Sequence, residues 1–399
     1  MPSLQLPASN SALCQIIAQR IAASPQQRIT FAEFMELALY EPQHGYYATN
    51  RGRAGIQQDF FTSAHLSADF GELLAEQFAE MWLKLDCPRP FTLVEMGAGQ
   101  GLLVQDIVRY LHRHHFNCFE ALEYLIIEKS TALIEAQQQR LRSLLDSWGK
   151  LYWRSWAEIP AESIVGCCFS NELIDAFPVH LVEIETDLQE VWVELGEQGK
   201  FKEVIAPPST PKLSEYFQRL EIDLQSERYV KPYRTEVNLA AIDWLATVAE
   251  RLKQGYLLTI DYGYLAQRYY SPTRSQGTLQ CYYQHAHHND PYAAIGQQDI
   301  TAHIDFTTLE QQGKQYGLQS VGLTQQGLFL MALGLGDRLN ALSQPSPDLT
   351  VQDILQKRET LHALIDPAGL GNFSVLVQSK GLDAATPNLK GLTIPPLFS

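Results

Sequence analysis

From residue 91 onward, short apolar runs alternate with segments whose apolar positions recur every three or four residues. FTLVEM (91–96), bounded by Pro90 and Gly97, has the length and flanks of a buried strand. After it, Leu103, Ile107 and Leu111 fall on one helical face. EYLIIE (123–128) is a second strand, and Ser130 caps a helix running through Leu133, Leu141 and Leu145. KLYWRS (150–155) and IVGCCFS (164–170) are strands three and four, with the vicinal Cys167 and Cys168 facing opposite sides of the sheet. Val237, Ala241, Trp244, Val248 and Leu252 define an amphipathic helix stopped by Gly255, and YLLTIDYG (256–263) is the fifth strand. LQSVGLT (318–324) and FSVLVQSKG (373–381) complete the pattern. The expectation is an α/β fold: a mostly parallel sheet covered on both faces, with an antiparallel edge strand from the last pair.

Two regions break the alternation. Residues 179–204 alternate with period two and turn at Gly196 to Gly199, predicting a β-hairpin. Prolines 207, 208 and 211 and a further helix follow, so 179–235 is expected to be an inserted subdomain. Residues 1–90 are largely helical around a GYY turn and are expected to form a cap contributing to the ligand site. The core then comprises 91–178 and 236–381, and 382–399 is expected to be a loose tail.

Composition narrows the function. A net charge of −15 argues against a nucleic-acid partner, whose binding domain would be basic. No apolar run approaches the ~18 residues of a membrane helix. The N-terminus lacks a secretory or transit pattern, giving a cytoplasmic expectation. Six scattered cysteines without a CxxC pair suggest buried thiols rather than disulfides or a metal site. The histidines at 112, 114 and 115 end a helix, and those at 285, 287 and 288 sit in a polar loop without acids at metal-ligand spacing. No metal is expected.

The chemistry concentrates in LVEMGAGQG (93–101). The phosphate loop of nucleotide hydrolases ends in Gly-Lys-Ser/Thr, but Gly101 is followed by two leucines. The dinucleotide fingerprint needs a glycine at 102, one position beyond the last. E-x-G-x-G-x-G suits S-adenosyl-L-methionine better. Gly97 and Gly99 admit its amino-acid portion, the helix start after Gly101 favours its carboxylate, and Glu95 attracts its ammonium. Glu128 ends the second strand, where an acid accepts hydrogen bonds from ribose hydroxyls.

Five further stretches carry a family resemblance: ITFAEFMELALYEPQHGYYA (29–48), DFFTSAHLSADFGELLAEQFAEMW (59–82), SNELIDAFPVH (170–180), TIDYG (259–263) and DITAHIDFTTL (299–309). Together they resemble the MidA-type methyltransferases, over about 29–381. That family includes a mitochondrial protein arginine methyltransferase needed to assemble respiratory complex I. The resemblance implies the class I methyltransferase fold, S-adenosyl-L-methionine as cofactor and, for the mitochondrial branch, symmetric dimethylation of an arginine on a complex I subunit. It places the glycine motif on Glu95, Gly97, Gly99 and Gly101, the ribose acid on Glu128, and Asp59, Thr62 and Ser63 near the cofactor. No organelle presequence like that of the mitochondrial members is expected from the N-terminal residues, so the substrate of that branch is not simply carried over.

SNELIDAFP supplies Asn171, Glu172 and Asp175 beyond the fourth strand, where class I methyltransferases place catalytic groups. If 172–177 is a helical turn, the two acids share a face and can polarise a guanidinium, while the Asn171 amide holds the acceptor. The alternative makes Asn171 a cap and both acids ordinary polar residues. Trp156, just after strand three, is either core or a platform for adenine. The leading expectation is a protein arginine methyltransferase acting on a complex I subunit or its bacterial counterpart. The alternatives are a small-molecule methyltransferase and an assembly or sensor protein that binds the cofactor without turnover.

Overall fold

The computed structural model describes residues 6–49, 62–284, 286–344, 350–382 and 388–393. Its main sheet has seven strands, in the order Gln319–Gln325, Ser374–Lys380, Leu252–Asp261, Ile164–Asn171, Phe91–Met96, Leu122–Ile127, Leu151–Trp153. The strands from Leu252–Asp261 to Leu151–Trp153 run parallel. Ser374–Lys380 is antiparallel to both its neighbours, so the last pair does form the edge, with the antiparallel strand as its inner member.

Continuous apolar runs arise because both faces of these strands are buried. Leu93, Tyr124, Cys167 and Phe169 face the helices Ala68–Lys84 and Leu102–His114. Val94, Cys168 and Leu257 face Leu239–Arg251 and Phe306–Gln315. The two vicinal cysteines therefore do point to opposite faces. Phe78 meets Phe169 with ring centroids 4.9 Å apart, and both are fully buried. Each such side chain contributes roughly 1.5–3 kcal/mol. The helix Ala68–Lys84 thus belongs to the core of the main sheet, although it lies within the segment expected to be a cap.

The inserted segment is more than a hairpin. His180–Ile184, Leu188–Leu195 and Phe201–Ala206 form a meander, joined by Tyr233–Val237 on one side. The fifth strand is N-terminal: Arg28–Thr30 pairs antiparallel with Leu188–Leu195, matching Arg28 to Glu194. The N-terminal and inserted segments therefore share one sheet. The Ser11–Ala23 and Phe31–Tyr40 helices pack on it through Leu13, Ile17, Phe31 and Phe34.

Two local expectations are corrected. Gly255 does not stop a helix. The Leu239–Arg251 helix runs directly into the next strand, and Gly255 lies inside that strand, where a Cβ would sit 1.9 Å from the Gly166 carbonyl oxygen. The tail is not loose at 388–393. Leu389 is buried in the main core, and the Gly391 N–H donates to Gln77 Oε1 at 2.9 Å.

Candidate active site

The cavity lies at the carboxyl ends of the central strands, where the Phe91–Met96 strand gives way to the glycine turn. Gly97 and Gly99 adopt φ of 71° and 53°, the left-handed region that glycine occupies without strain. Gly97 N–H is anchored on the Ile127 carbonyl at 2.9 Å. A Cβ on Gly97 would lie 2.7 Å from Leu173 Cδ1, whereas one on Gly99 would meet nothing within 4 Å. Gly97 thus permits protein packing, and Gly99 leaves open space bordering the cavity. Gly101 does not line the cavity, contrary to its expected cofactor role. A Cβ there would lie 3.1 Å from Leu141 Cδ1, so it serves the turn and the packing behind it.

Glu95 borders the cavity and is 3 % exposed; its Oε2 accepts a hydrogen bond from the Tyr124 hydroxyl at 2.7 Å. Burial pushes its carboxyl up to about 7. Glu128 also lines the cavity and accepts from the Lys129 and Ser130 N–H groups at 2.9 and 3.0 Å and from Gln137 at 3.2 Å. Burial raises its carboxyl pKa against those bonds. Glu95 before the glycine turn, Glu128 after the neighbouring strand and the 13-residue helix that follows the turn fit the ammonium, ribose and carboxylate of S-adenosyl-L-methionine.

Asn171, Glu172 and Asp175 all line the same cavity, though not as one helical turn. Asn171 ends its strand and caps no helix. Glu172 is left-handed at φ 51°, and the only helical residues are Ile174–Ala176. Glu172 N–H donates to the Ile260 carbonyl at 2.9 Å, fixing this sparsely populated conformation. Its Oε1 accepts from Asn171 Nδ2 at 3.1 Å and from Ser63 N–H at 3.4 Å. Burial, with Asp175 adding to it, pushes Glu172 up to about 8. Asp175 is raised by burial to about 6, and its Oδ2 accepts from the Tyr262 hydroxyl at 2.7 Å. Asp261, behind the cavity, accepts from the Ile174 and Tyr262 N–H groups. Asn171 Oδ1 and Asp175 Oδ1 are buried and accept no hydrogen bond from the described residues.

Of the "TS" residues, Thr62 borders the cavity. Ser63 does not: it is fully buried, and its hydroxyl pairs with Gln326, steadying the loop behind the cavity. Asp59 lies outside the described residues. Trp156 does not line the cavity either. It packs against the opposite-face core with Tyr152 and Ile127 and offers no platform there.

Sequence reasoning places Tyr46 and Tyr47 in the GYY turn of the cap but reads them as mostly core, and it singles out neither Tyr40 nor Asp299; all four border the cavity. The signal for Tyr46, Tyr47 and Asp299 is the GYY turn and DIT, and Tyr40 lies in the same family stretch as that turn. Among the described residues, no group of three or more His, Cys, Asp and Glu side chains is arranged to hold a metal ion, and no helix is long and apolar enough to cross a membrane.

Residues 73–324 match a family model described as "Putative S-adenosyl-L-methionine-dependent methyltransferase". The protein arginine methyltransferase NDUFAF7 homolog of Drosophila melanogaster, a mitochondrial protein, is 29% identical over 93% of this chain and 85% of its own length. Human mitochondrial protein arginine methyltransferase NDUFAF7 is 28% identical over 89% and 81%. A COG1565 superfamily member from Burkholderia thailandensis, in a crystal structure bound to S-adenosyl-homocysteine, superposes with a TM-score of 0.82. It shares 28% identity and covers 97% of both chains.

Proposed function

The chain belongs to the S-adenosyl-L-methionine-dependent methyltransferases, and on that premise we propose that its acceptor is a protein arginine, on a respiratory complex I subunit or its bacterial counterpart. The observation carrying this reading is the charge of the cavity. Glu95, Glu128, Glu172, Asp175 and Asp299 border it, and no lysine or arginine is among the described lining residues. The cofactor brings one net positive charge and accounts for the two acids beside the glycine turn. Glu172 and Asp175 remain to face the methyl acceptor. The names of the curated relatives, protein arginine methyltransferases, agree with that.

Bound in the cavity, S-adenosyl-L-methionine supplies a methyl group activated by positive sulfur. A guanidinium is a poor nucleophile because it stays protonated, with a pKa above ~12. Asn171 Oδ1 and Asp175 Oδ1 are unsatisfied acceptors suited to its N–H donors. Their negative potential draws positive charge toward the nitrogens they hold and leaves electron density on the one that attacks. Glu172, raised to about 8, is placed to receive the proton that the attacking nitrogen releases.

The test uses labelled S-adenosyl-L-methionine and lysate from cells lacking the protein. A labelled protein band, yielding methylarginine after acid hydrolysis, is the expected result. Label confined to small molecules, or recovered as another methylated amino acid, would overturn the reading.

A further inference from the structure

Tyr262 follows the Leu252–Asp261 strand and is not one of the residues lining the cavity, whereas Asp175 is. The Tyr262 hydroxyl donates to Asp175 Oδ2 at 2.7 Å across 87 positions of sequence. Two backbone clamps hold this pair in register. The first is the fully buried Asp261 side chain, whose Oδ1 accepts from the Tyr262 N–H at 2.8 Å. Its Oδ2 accepts from the Ile174 and Asp175 N–H groups at 3.0 and 3.3 Å. The second clamp is the segment 302–304. There the Ala302 N–H donates to the Asp175 carbonyl at 2.9 Å, and the Ile304 N–H donates to the Tyr262 carbonyl at 3.0 Å. The Tyr262 ring packs on Phe373 at 5.3 Å and meets His303 edge-on at 5.0 Å. Asp175 itself is 5 % exposed, and its Oδ1 is buried without a partner among the described residues.

We propose that Tyr262 is a positioning residue for the methyl acceptor: it fixes Asp175 through Oδ2, so that Oδ1 is presented to the guanidinium. The inference rests on the arginine reading above. A carboxyl pinned at one oxygen can no longer turn away, and its other oxygen becomes the acceptor it offers. The chemistry of the pin matters as much as its place. A lysine or arginine would hold Asp175 too, but its charge would cancel the potential that attracts a cation. A phenol orients the group and leaves that potential in place. If the hydroxyl served packing alone, the ring contacts with Phe373 and His303 would suffice, and phenylalanine would do as well. The attacking nitrogen must lie in line with the sulfonium, so a small rotation of the group that holds the acceptor is felt at once.

Tyr262→Phe keeps the ring and removes only the hydroxyl. The experiment titrates the full chain, saturated with S-adenosyl-homocysteine, with N-acetyl-arginine amide and its neutral isostere N-acetyl-citrulline amide, read by calorimetry. It compares the wild type, Tyr262→Phe, Asp175→Asn and the double variant, with thermal melting as the check on folding. The wild type is expected to prefer the arginine compound. Tyr262→Phe should reduce that preference ~10-fold, with the affinities for the citrulline compound and S-adenosyl-homocysteine unchanged. Asp175→Asn should reduce it at least as far. Adding Tyr262→Phe to Asp175→Asn should cost nothing more, because the hydroxyl acts only through Asp175. If the wild type shows the preference and either single variant retains it, or the double variant loses more than Asp175→Asn, this inference fails and the arginine reading stands. A parallel loss of S-adenosyl-homocysteine affinity in Tyr262→Phe makes Tyr262 a structural residue and also overturns it. If the wild type does not prefer the arginine compound, the arginine reading itself fails, and this inference with it.

Discussion

Glu172→Gln separates the charge of Glu172 from its shape. The amide can still accept from Asn171 Nδ2 and Ser63 N–H, so the pocket wall is retained. Only the ionisable proton is lost. With its carboxyl raised from 4.5 to about 8, the folded protein holds a proton that the unfolded chain releases. Stability therefore falls as pH rises between those values, by about 3 kcal/mol at neutral pH as an upper bound. The variant should lose that penalty, and its melting temperature should exceed the wild type's by roughly 2–4 °C at pH 7. The advantage should vanish below pH 4.5 and level off above about 8. Activity should move the opposite way. Removing a proton acceptor costs on the order of a hundredfold or more in rate. Wild-type kcat/KM should also climb as pH approaches about 8, and the variant should lose that slope. The assays are calorimetric melting and label transfer across pH, with S-adenosyl-L-methionine affinity as control. A variant that loses cofactor affinity and rate together, or one with unchanged rate and melting temperature, would refute the reasoning.

Gly99→Val should bind no S-adenosyl-L-methionine, because its side chain would occupy open cavity, with some loss of melting temperature from valine at φ 53°; Gly97→Ala should lower the melting temperature through both its φ of 71° and collision with Leu173. Calorimetry and thermal melting distinguish the two. Tyr124→Phe removes the donor to Glu95 and should raise that carboxyl further above about 7, weakening cofactor binding at pH 7 several-fold, on the order of the ~1 kcal/mol of one hydrogen bond. The deficit should shrink at higher pH, where Glu95 ionises regardless. Trp156→Ala should leave cofactor affinity unchanged, since Trp156 packs away from the cavity; a tenfold loss would restore its adenine role.

The sheet was legible because strands buried on both faces leave unbroken apolar runs, as in FTLVEM and YLLTID. The cofactor half of the site was legible because the turn, Glu95 and Glu128 sit at strand ends, where topology alone brings them together. What failed depends on what lies opposite a residue. Gly101 and Gly255 are glycines for reasons found in Leu141 and Gly166, which no local window contains. Trp156 reads the same whether its ring turns toward the cavity or toward the core on the other face of the sheet. The pairing of Tyr47 with Asp299, 252 positions apart, has no local signature at either end.

The shared sheet has a consequence for biogenesis. Arg28–Thr30 pairs with a strand that ends at Leu195, and Asn10 N–H is held by the carbonyl of Ile295. On the ribosome, at ~5–20 residues per second, the leading helices must wait roughly ten seconds or more for that strand, and longer for residue 295. During the wait Leu13, Ile17, Phe31 and Phe34 have no native partner on the strand they will cover. Tyr47 likewise cannot meet Asp299 until most of the chain has been synthesised. A nascent chain therefore has no complete active site to offer, and its first emerging segment is the one most in need of a chaperone's shelter.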